Sequence, residues 1–584
     1  MNSQTKLALT FLCAVILALV LFFVLVPMEA DTLYINGRIY TLNESNEVAE
    51  AMAIRGERIV AVGQSDRLRK SVRAKETIDL GGKTVVPGFI DGHAHFLSLG
   101  LSRLTVDLVG ATSEGEAAAR VTERVASSPP GQWIRGHGWD QNDWPTKRFP
   151  SHTTLDRVSP QNPVYLNRID GHACWVNKKA MEIAGITKET PDPSGGKIIR
   201  DGQGNPTGVF IDAAMDLIAS HLPQLSDDEA NAAMNLAIQE CLKYGITSVH
   251  DMGVEMREIE LMKRAIDEGR FPFRIYAAIG GIGETWNHFL ETGPIVGYGN
   301  KLTVRTIKLY IDGALGSRGA ALIEPYSDDP DNRGLTLTSD ADFKSTVLQA
   351  LENGFQVCTH AIGDRANNIA LNGYEASLQQ HRVKDHRLRI EHAQVLDLND
   401  IPRFKQLGVI ASMQPTHCTS DMYWAEARLG PERVKGAYAW RSLLNTGTVI
   451  CGGSDFPVEH PNPLAGIYAA VSRQDQQGRP RDASDVARSF QLSQAGITDS
   501  KSFEGGWYVD QRMTREEALR AFTIWAAYGA FEEKIKGSLE RGKLADFVVL
   551  SDDIMNISAP EILKTHVEMT FVGGKRVYPQ NNED

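Results

Sequence analysis

The sequence predicts an α/β protein whose main body is a TIM (β/α)8 barrel, with a composite β-sandwich domain from both chain ends and an insertion after the first barrel strand. Three observations predict it. Eight short apolar strands recur along the chain, with helical patterns between most of them. Residues able to carry chemistry fall at the C-terminal ends of those strands. Strand-rich segments of similar pattern bracket the repeat on both sides. A strand–helix alternation implies a parallel sheet with helices outside, and eight units close it into a barrel whose active site lies at the strand C-termini.

The first barrel strand is read in Val85-Val86-Pro87-Gly88-Phe89-Ile90-Asp91-Gly92-His93-Ala94-His95. Its β-prone apolar residues suit a buried strand, and Gly92 permits a tight turn beyond it. His93 and His95 are two apart and project the same way from extended chain. The other seven strands are read at 245–251, 273–278, 304–310, 355–360, 388–392, 409–413 and 449–455, with helical patterns such as 227–244 and 339–353 between them. Residues 96–244 are far too many for one crossover helix and contain strand-like runs at 132–137 and 163–168, so they read as an insertion over the barrel mouth. Residues 482–508, rich in Ser, Gly and charge, read as a long surface loop. Short alternating strands at 33–37, 51–54 and 58–63 return in kind at 545–550 and 567–577. Neither group alone makes a stable sheet, whereas together they make one small domain. The expected organisation is a membrane anchor or signal segment at 1–30, the composite domain at 31–84 plus 536–580, and the barrel at 85–535 with its insertion at about 96–244.

Composition narrows the function. A formal net charge of −12 over 584 residues, without a dense Lys/Arg block, argues against a nucleic-acid partner. The six cysteines form no Cys-x-x-Cys pair, which excludes a zinc ribbon or redox dithiol and leaves buried free thiols. Residues 7–26 are an uninterrupted apolar run whose only polar member is Thr10. That length spans a bilayer, and Met28-Glu29-Ala30 is a poor cleavage site. The expectation is an uncleaved anchor with the catalytic body outside the cytoplasm, periplasmic or extracellular, or a secreted protein if the leader is removed.

His93, His95, His360, His392 and Asp455 all close barrel strands. Four imidazoles and a carboxylate at one mouth form a ligand set for zinc or a similar divalent ion. Lys308 lies mid-strand, where Thr306, Lys308 and Tyr310 alternate with Ile307, Leu309 and Ile311, so it points into the barrel. An unpaired ammonium there is costly, and a protonated lysine has no lone pair for a metal. Two resolutions stand open: carbamylation to a bridging anion, or pairing with a carboxylate such as Asp312. His137, His172 and Arg318 are candidate substrate contacts, the alternatives being a structural histidine in a Gly-rich turn and an internally paired arginine. His250-Asp251 closes the second strand as support for the ligands, and Trp133, Trp139, Trp144 and Trp175 either line an apolar pocket or pack the insertion.

The set His93-Ala94-His95, Lys308, His360, His392 and Asp455, in that strand order, resembles the amidohydrolase superfamily. Thr306-Ile307-Lys308-Leu309-Tyr310-Ile311-Asp312-Gly313-Ala314-Leu315-Gly316-Ser317-Arg318, Thr359-His360-Ala361-Ile362-Gly363-Asp364-Arg365-Ala366, Ile390-Glu391-His392-Ala393-Gln394 and Gly453-Ser454-Asp455-Phe456-Pro457-Val458 are similar to amidohydrolase family 3, the branch that includes N-substituted formamide deformylases. The resemblance implies a barrel with one or two divalent ions, most simply zinc. It implies that His93, His95 and Asp455 bind one ion, that His360 and His392 bind the other, and that Lys308 bridges them. The apolar leader departs from the commoner members.

The expected function is metal-dependent hydrolysis of a non-peptide carbon–nitrogen bond in a small amide, N-acyl or N-formyl substrate, by a metal-activated water with Asp455 as proton shuttle. The alternatives are a cyclic amide, lactone or ester hydrolase on the same site, or a membrane-tethered binding protein without catalysis. The expected partners are that small molecule and, through the N-terminal segment, a membrane; a homodimer is left open.

Overall fold

The computed structural model describes residues 27–480 and 505–579. Its centre is a nearly closed parallel barrel of eight strands: β1 (Phe89–Ala94), β2 (Ile246–Val254), β3 (Arg274–Ile279), β4 (Leu302–Tyr310), β5 (Gln356–Ala361), β6 (Arg389–His392), β7 (Ile410–Met413) and β8 (Ile450–Gly452). Neighbours pair in chain order from β1 to β8, all parallel. Their outward apolar residues, such as Ile307, Leu309 and Ile390, are buried against the helices in one continuous core.

The β8–β1 seam closes through local contacts. Asp455 N donates to His93 O at 2.8 Å. The Asp91 carboxylate accepts from Ser454 N at 3.0 Å and from Ser454 Oγ at 2.6 Å. Gly92 lies inside β1, not at a turn beyond it, because a Cβ there would stand 2.7 Å from Gly452 O. Glycine is needed for close approach of two backbones.

The stretch read as one strand is two. Thr84–Pro87 pairs antiparallel with Phe547–Leu550, with Val86 opposite Val548. After Gly88 the chain leaves that sheet and enters β1. A six-stranded sheet thus joins Arg38–Tyr40, Val48–Ala49 and Thr84–Pro87 to Phe547–Leu550, Val567–Val572 and Lys575–Tyr578. A four-stranded sheet of Met28–Ile35, Ala51–Arg55, Arg58–Gly63 and Val72–Asp79 packs on it. Phe547 and Phe571 stack at 4.2 Å, with Tyr34 edge-on to both.

Between β1 and β2 a third, six-stranded sheet (Val106–Asp107, Ile134–Trp139, Val164–Arg168, Ala173–Val176, Gly196–Arg200, Pro206–Asp212) carries its own core. Trp139, Trp144 and Trp175 are buried against one another there, with ring centroids 6.0–6.3 Å apart, so they pack the insertion. The five described cysteines are buried and free.

The membrane-anchored placement is corrected. Among the described residues no helix is long and apolar enough to cross a membrane. The segment assigned to a leader also extends too far: Met28 already opens a strand, opposite Val72. The apolar run at 7–26 that carried the expectation lies outside the described residues, as does most of the loop expected at 482–508.

One buried ion pair joins the barrel to the terminal sheet. Arg274, in β3, meets Asp546 through Nε–Oδ2 at 2.6 Å and Nη2–Oδ1 at 2.8 Å, and Gly573 N also donates to Asp546. Burial raises the carboxyl pKa, but Arg274 beside it outweighs burial and holds it below the usual range. Asp546→Ala leaves Arg274 buried and unpaired, and we expect a stability loss of about 3–5 kcal/mol. Denaturant unfolding of both proteins checks this, and a loss below about 1 kcal/mol, the range of exposed pairs, rejects it.

Candidate metal centre

The C-terminal ends of the barrel strands meet under the insertion in a cleft of about 620 Å³, lined by His137, His172, His360, His392, His417 and Asp455 among others. His93 ends β1 and is fully buried. Its Nδ1–H donates to Glu391 Oε2 at 2.6 Å, which leaves the Nε2 lone pair facing Asp455 Oδ1 at 3.5 Å. Burial, with Lys308 nearby, lowers the His93 pKa to about 4, so the ring is a neutral ligand at ordinary pH. His95 Nε2 lies 3.3 Å from the same oxygen.

These spacings fit one ion. Two donors bound tetrahedrally at about 2.1 Å stand roughly 3.4 Å apart. Asp455 Oδ1 is moreover buried without a hydrogen-bond donor, and a cation supplies what it lacks. Burial opposes ionisation of Asp455, but His93, His95 and His392 around it hold its pKa well below the usual carboxylate range. The left-handed backbone at Asp455 (φ 60°) and His392 (φ 73°) aims both side chains into the mouth.

Lys308 points into the barrel, buried, with Nζ 3.2 Å from His93 Nε2 and 4.9 Å above the Tyr310 ring. Burial lowers its pKa, against the opposing pull of Glu391 and Asp455. Pairing with Asp312 is not found. Asp312 instead accepts the backbone N–H groups of Ala321, Ile362 and Gly363 at 2.8–2.9 Å. His360 is buried, its ring 4.6 Å from that of His392, and burial with the His172 charge pushes its pKa well down.

The insertion contributes two histidines. His137 Nε2 lies 3.1 Å from Pro457 O and ties the insertion to the loop after β8. His172 Nδ1 donates to Asp212 Oδ1 at 2.6 Å, and its ring lies 5.1 Å from that of His360. Burial alone would lower the His172 pKa, but Asp212 raises it to about 9, so the ring is an imidazolium. Arg318 takes the second of its two expected roles: it pairs internally, with Asp328 at 3.0 Å, and is not among the residues that line the cleft. The two arginines that do, Arg103 and Arg168, are themselves paired, with Glu240 and with Asp140 and Asp170. His250–Asp251 lies within β2, which continues to Val254; His250 Nδ1 accepts from Arg389 Nη1 at 2.7 Å, and Asp251 accepts Phe96 N.

Sequence reading missed three groups. His417 stands just after β7 in Met413-Gln414-Pro415-Thr416-His417, and the strand-end rule, extended by one helical turn, would have reached it. Glu391 neighbours His392 and was hidden by it. Asp212 lies forty residues from His172 with no local pattern to join them.

A model of the amidohydrolase family, Amidohydro_3, matches residues 76–578. The chain is 36% identical over 568 residues to the protein LONG AFTER FAR-RED 3 of Arabidopsis thaliana, covering 94% of this chain and 92% of that protein. It is 28% identical over 574 residues to the N-substituted formamide deformylase of Arthrobacter pascens, covering 93% and 97%. Among solved structures, an uncharacterized metal-dependent hydrolase from Pyrococcus horikoshii OT3 superposes with a TM-score of 0.70 at 27% identity, over 90% of this chain and 99% of that one. The barrel, the donors gathered at its mouth and the family match agree: this chain is a metal-dependent hydrolase of the amidohydrolase family.

Proposed function

We propose that the cleft hydrolyses the carbon–nitrogen bond of a small N-formyl or N-acyl amine. The observation that carries this reading is Asp455, whose buried, unpartnered Oδ1 sits between His93 and His95 at the base of the cleft. Likeness to a formamide deformylase over nearly the whole chain supports the substrate class. A divalent ion held by His93, His95 and Asp455, most simply zinc by its N and O donors, supplies Lewis-acid polarisation and acidified water.

The chain's own groups do the rest. Asp455 accepts a proton from the attacking water and returns it to the leaving nitrogen. His172, charged and held by Asp212, donates to the carbonyl oxygen as negative charge develops there. Lys308 takes part as a carbamate, since burial favours the neutral amine that CO2 requires. Acidic residues Asp107, Asp140, Asp143, Asp170, Asp421 and Glu459 line the outer cleft, and its two arginines are already paired. The amine portion is therefore neutral or cationic, since neither cleft arginine is free for a substrate carboxylate.

A panel of neutral N-formyl amines, N-formyl amino acids, N-acyl amines and lactones tests the substrate class. Turnover of the neutral formamides, lost to a chelator and restored by a divalent ion, supports it; turnover of lactones alone rejects it. Asp455→Asn keeps a ligating oxygen but not the proton acceptor, and we expect kcat to fall about 10²–10⁴-fold with KM little changed. An unchanged kcat removes the shuttle role.

The wild-type rate should fall as pH rises through about 9, where the His172 imidazolium is lost. Asp212→Asn removes the charge that raises this pKa and should bring the alkaline limb down towards about 6.5; a limb that stays in place rejects the role of His172. Lys308→Ala should lose turnover and regain part of it with short carboxylic acids, and normal turnover in that variant would make Lys308 structural.

A further inference from the structure

A second cavity, of about 470 Å³, lies between the helix Phe96–Ser102 that follows β1 and the insertion strands Ile134–Trp139 and Val164–Arg168. Ser102, Thr105, His137 and Pro457 line both it and the cleft, so the two adjoin across the His137–Pro457 contact. They differ in charge. Carboxylates crowd the cleft, and its arginines are already paired. The second cavity is lined by Arg124 and Arg135, and among the described residues neither pairs with a carboxylate. Arg135 is half-buried and gives one N–H to Pro223 O. Glu229 is the single acidic lining residue, and its carboxylate is turned to Ser226, accepting from N at 2.8 Å and Oγ at 2.9 Å. Leu101, Leu104, Leu222, Leu225, Trp133 and Tyr165 make the walls apolar.

We propose that this side chamber binds an amphipathic carboxylate, an aryl or alkyl acid. Its apolar body lies against Trp133 and the leucines, and its charge meets the Arg135 guanidinium, with the exposed Arg124 closer to solvent. Apolar walls with a few polar groups, at this volume, are the make-up of a small-molecule site. Identifying the ligand as the acid half of the substrate rests on the amide reading above. Water divides an N-acyl amine at the C–N bond. Its oxygen stays on the acyl carbon as a carboxylate, and both its hydrogens go to nitrogen, which leaves as an ammonium. The acidic cleft suits the cation, and the adjoining arginine-lined chamber suits the anion. A formyl group makes no use of the apolar walls, so the chamber favours N-acyl amines with a bulky apolar acyl group.

The test is calorimetric binding of phenylbutyrate to the purified protein, with excess acetate present to occupy the metal ions. The wild type should bind phenylbutyrate, and butyrate, which lacks the ring, at least about tenfold more weakly. Arg135→Gln should weaken phenylbutyrate about tenfold or more. Leu104→Glu, at a wall position already 37% exposed, should do the same by placing a like charge in the chamber. No binding by the wild type, or binding unchanged in both variants, overturns the proposal. Wild-type crystals soaked with a brominated phenylbutyrate give an answer independent of how the variants fold. A bromine peak beside Trp133 supports the chamber; a peak in the cleft alone overturns it. None of these readouts needs turnover. Binding without amide hydrolysis leaves the chamber standing and removes the substrate reading, and amide hydrolysis without binding does the reverse.

Discussion

The site depends on a buried chain of charge, Arg389–Glu391–His93. Glu391 is fully buried, receives Nε and Nη2 of Arg389 at 2.8 and 3.0 Å, and accepts the His93 Nδ1–H at 2.6 Å. Burial alone would protonate the carboxyl, yet Arg389 and His93 keep it ionised. Arg389 extends the chain further, to Gly92 O, Ser412 Oγ and His250 Nδ1. One ion pair thus ties β1, β2, β6 and β7 together beneath the mouth and sets the tautomer of the first ligand. Neutralising Glu391 would strand a buried guanidinium and free His93 to rotate, so fold and chemistry fail together.

The barrel was legible because strand–helix alternation leaves a period that local sequence preserves, and the gathering of His93, His95, His360, His392 and Asp455 at one mouth was legible because strand ends converge there. What sequence did not show were partnerships made by tertiary approach. Lys308 pointed inward as its alternation required, but Asp312, one residue beyond Ile311, was engaged by three backbone amides and never reached it. Arg318, after its glycine-rich turn, could have bound an anion or paired internally, and only the fold shows that Asp328 holds it. His172 looked like one more histidine in a turn until Asp212, brought across the insertion sheet, charged it.

The break at Gly88 shows a different limit. Val85, Val86, Phe89 and Ile90 read as one β run because each half is apolar and β-prone. Only the positions of Phe547–Leu550 and Ile246–Val254 divide the halves between two sheets. Gly88 marks the division, since a Cβ there would strike the Thr247 side chain at 2.4 Å.

That shared strand also bears on how the chain is made. Thr84–Pro87 leads directly into the barrel strand that carries His93, but one of its two neighbours in the sheet, Phe547–Leu550, emerges from the ribosome only after the last barrel strand. Until then Val85 and Val86 offer an open, apolar edge, the kind of surface that pairs with the wrong partner in an unfinished chain. The strand that leads into the barrel is therefore held on both sides only after all eight barrel strands exist.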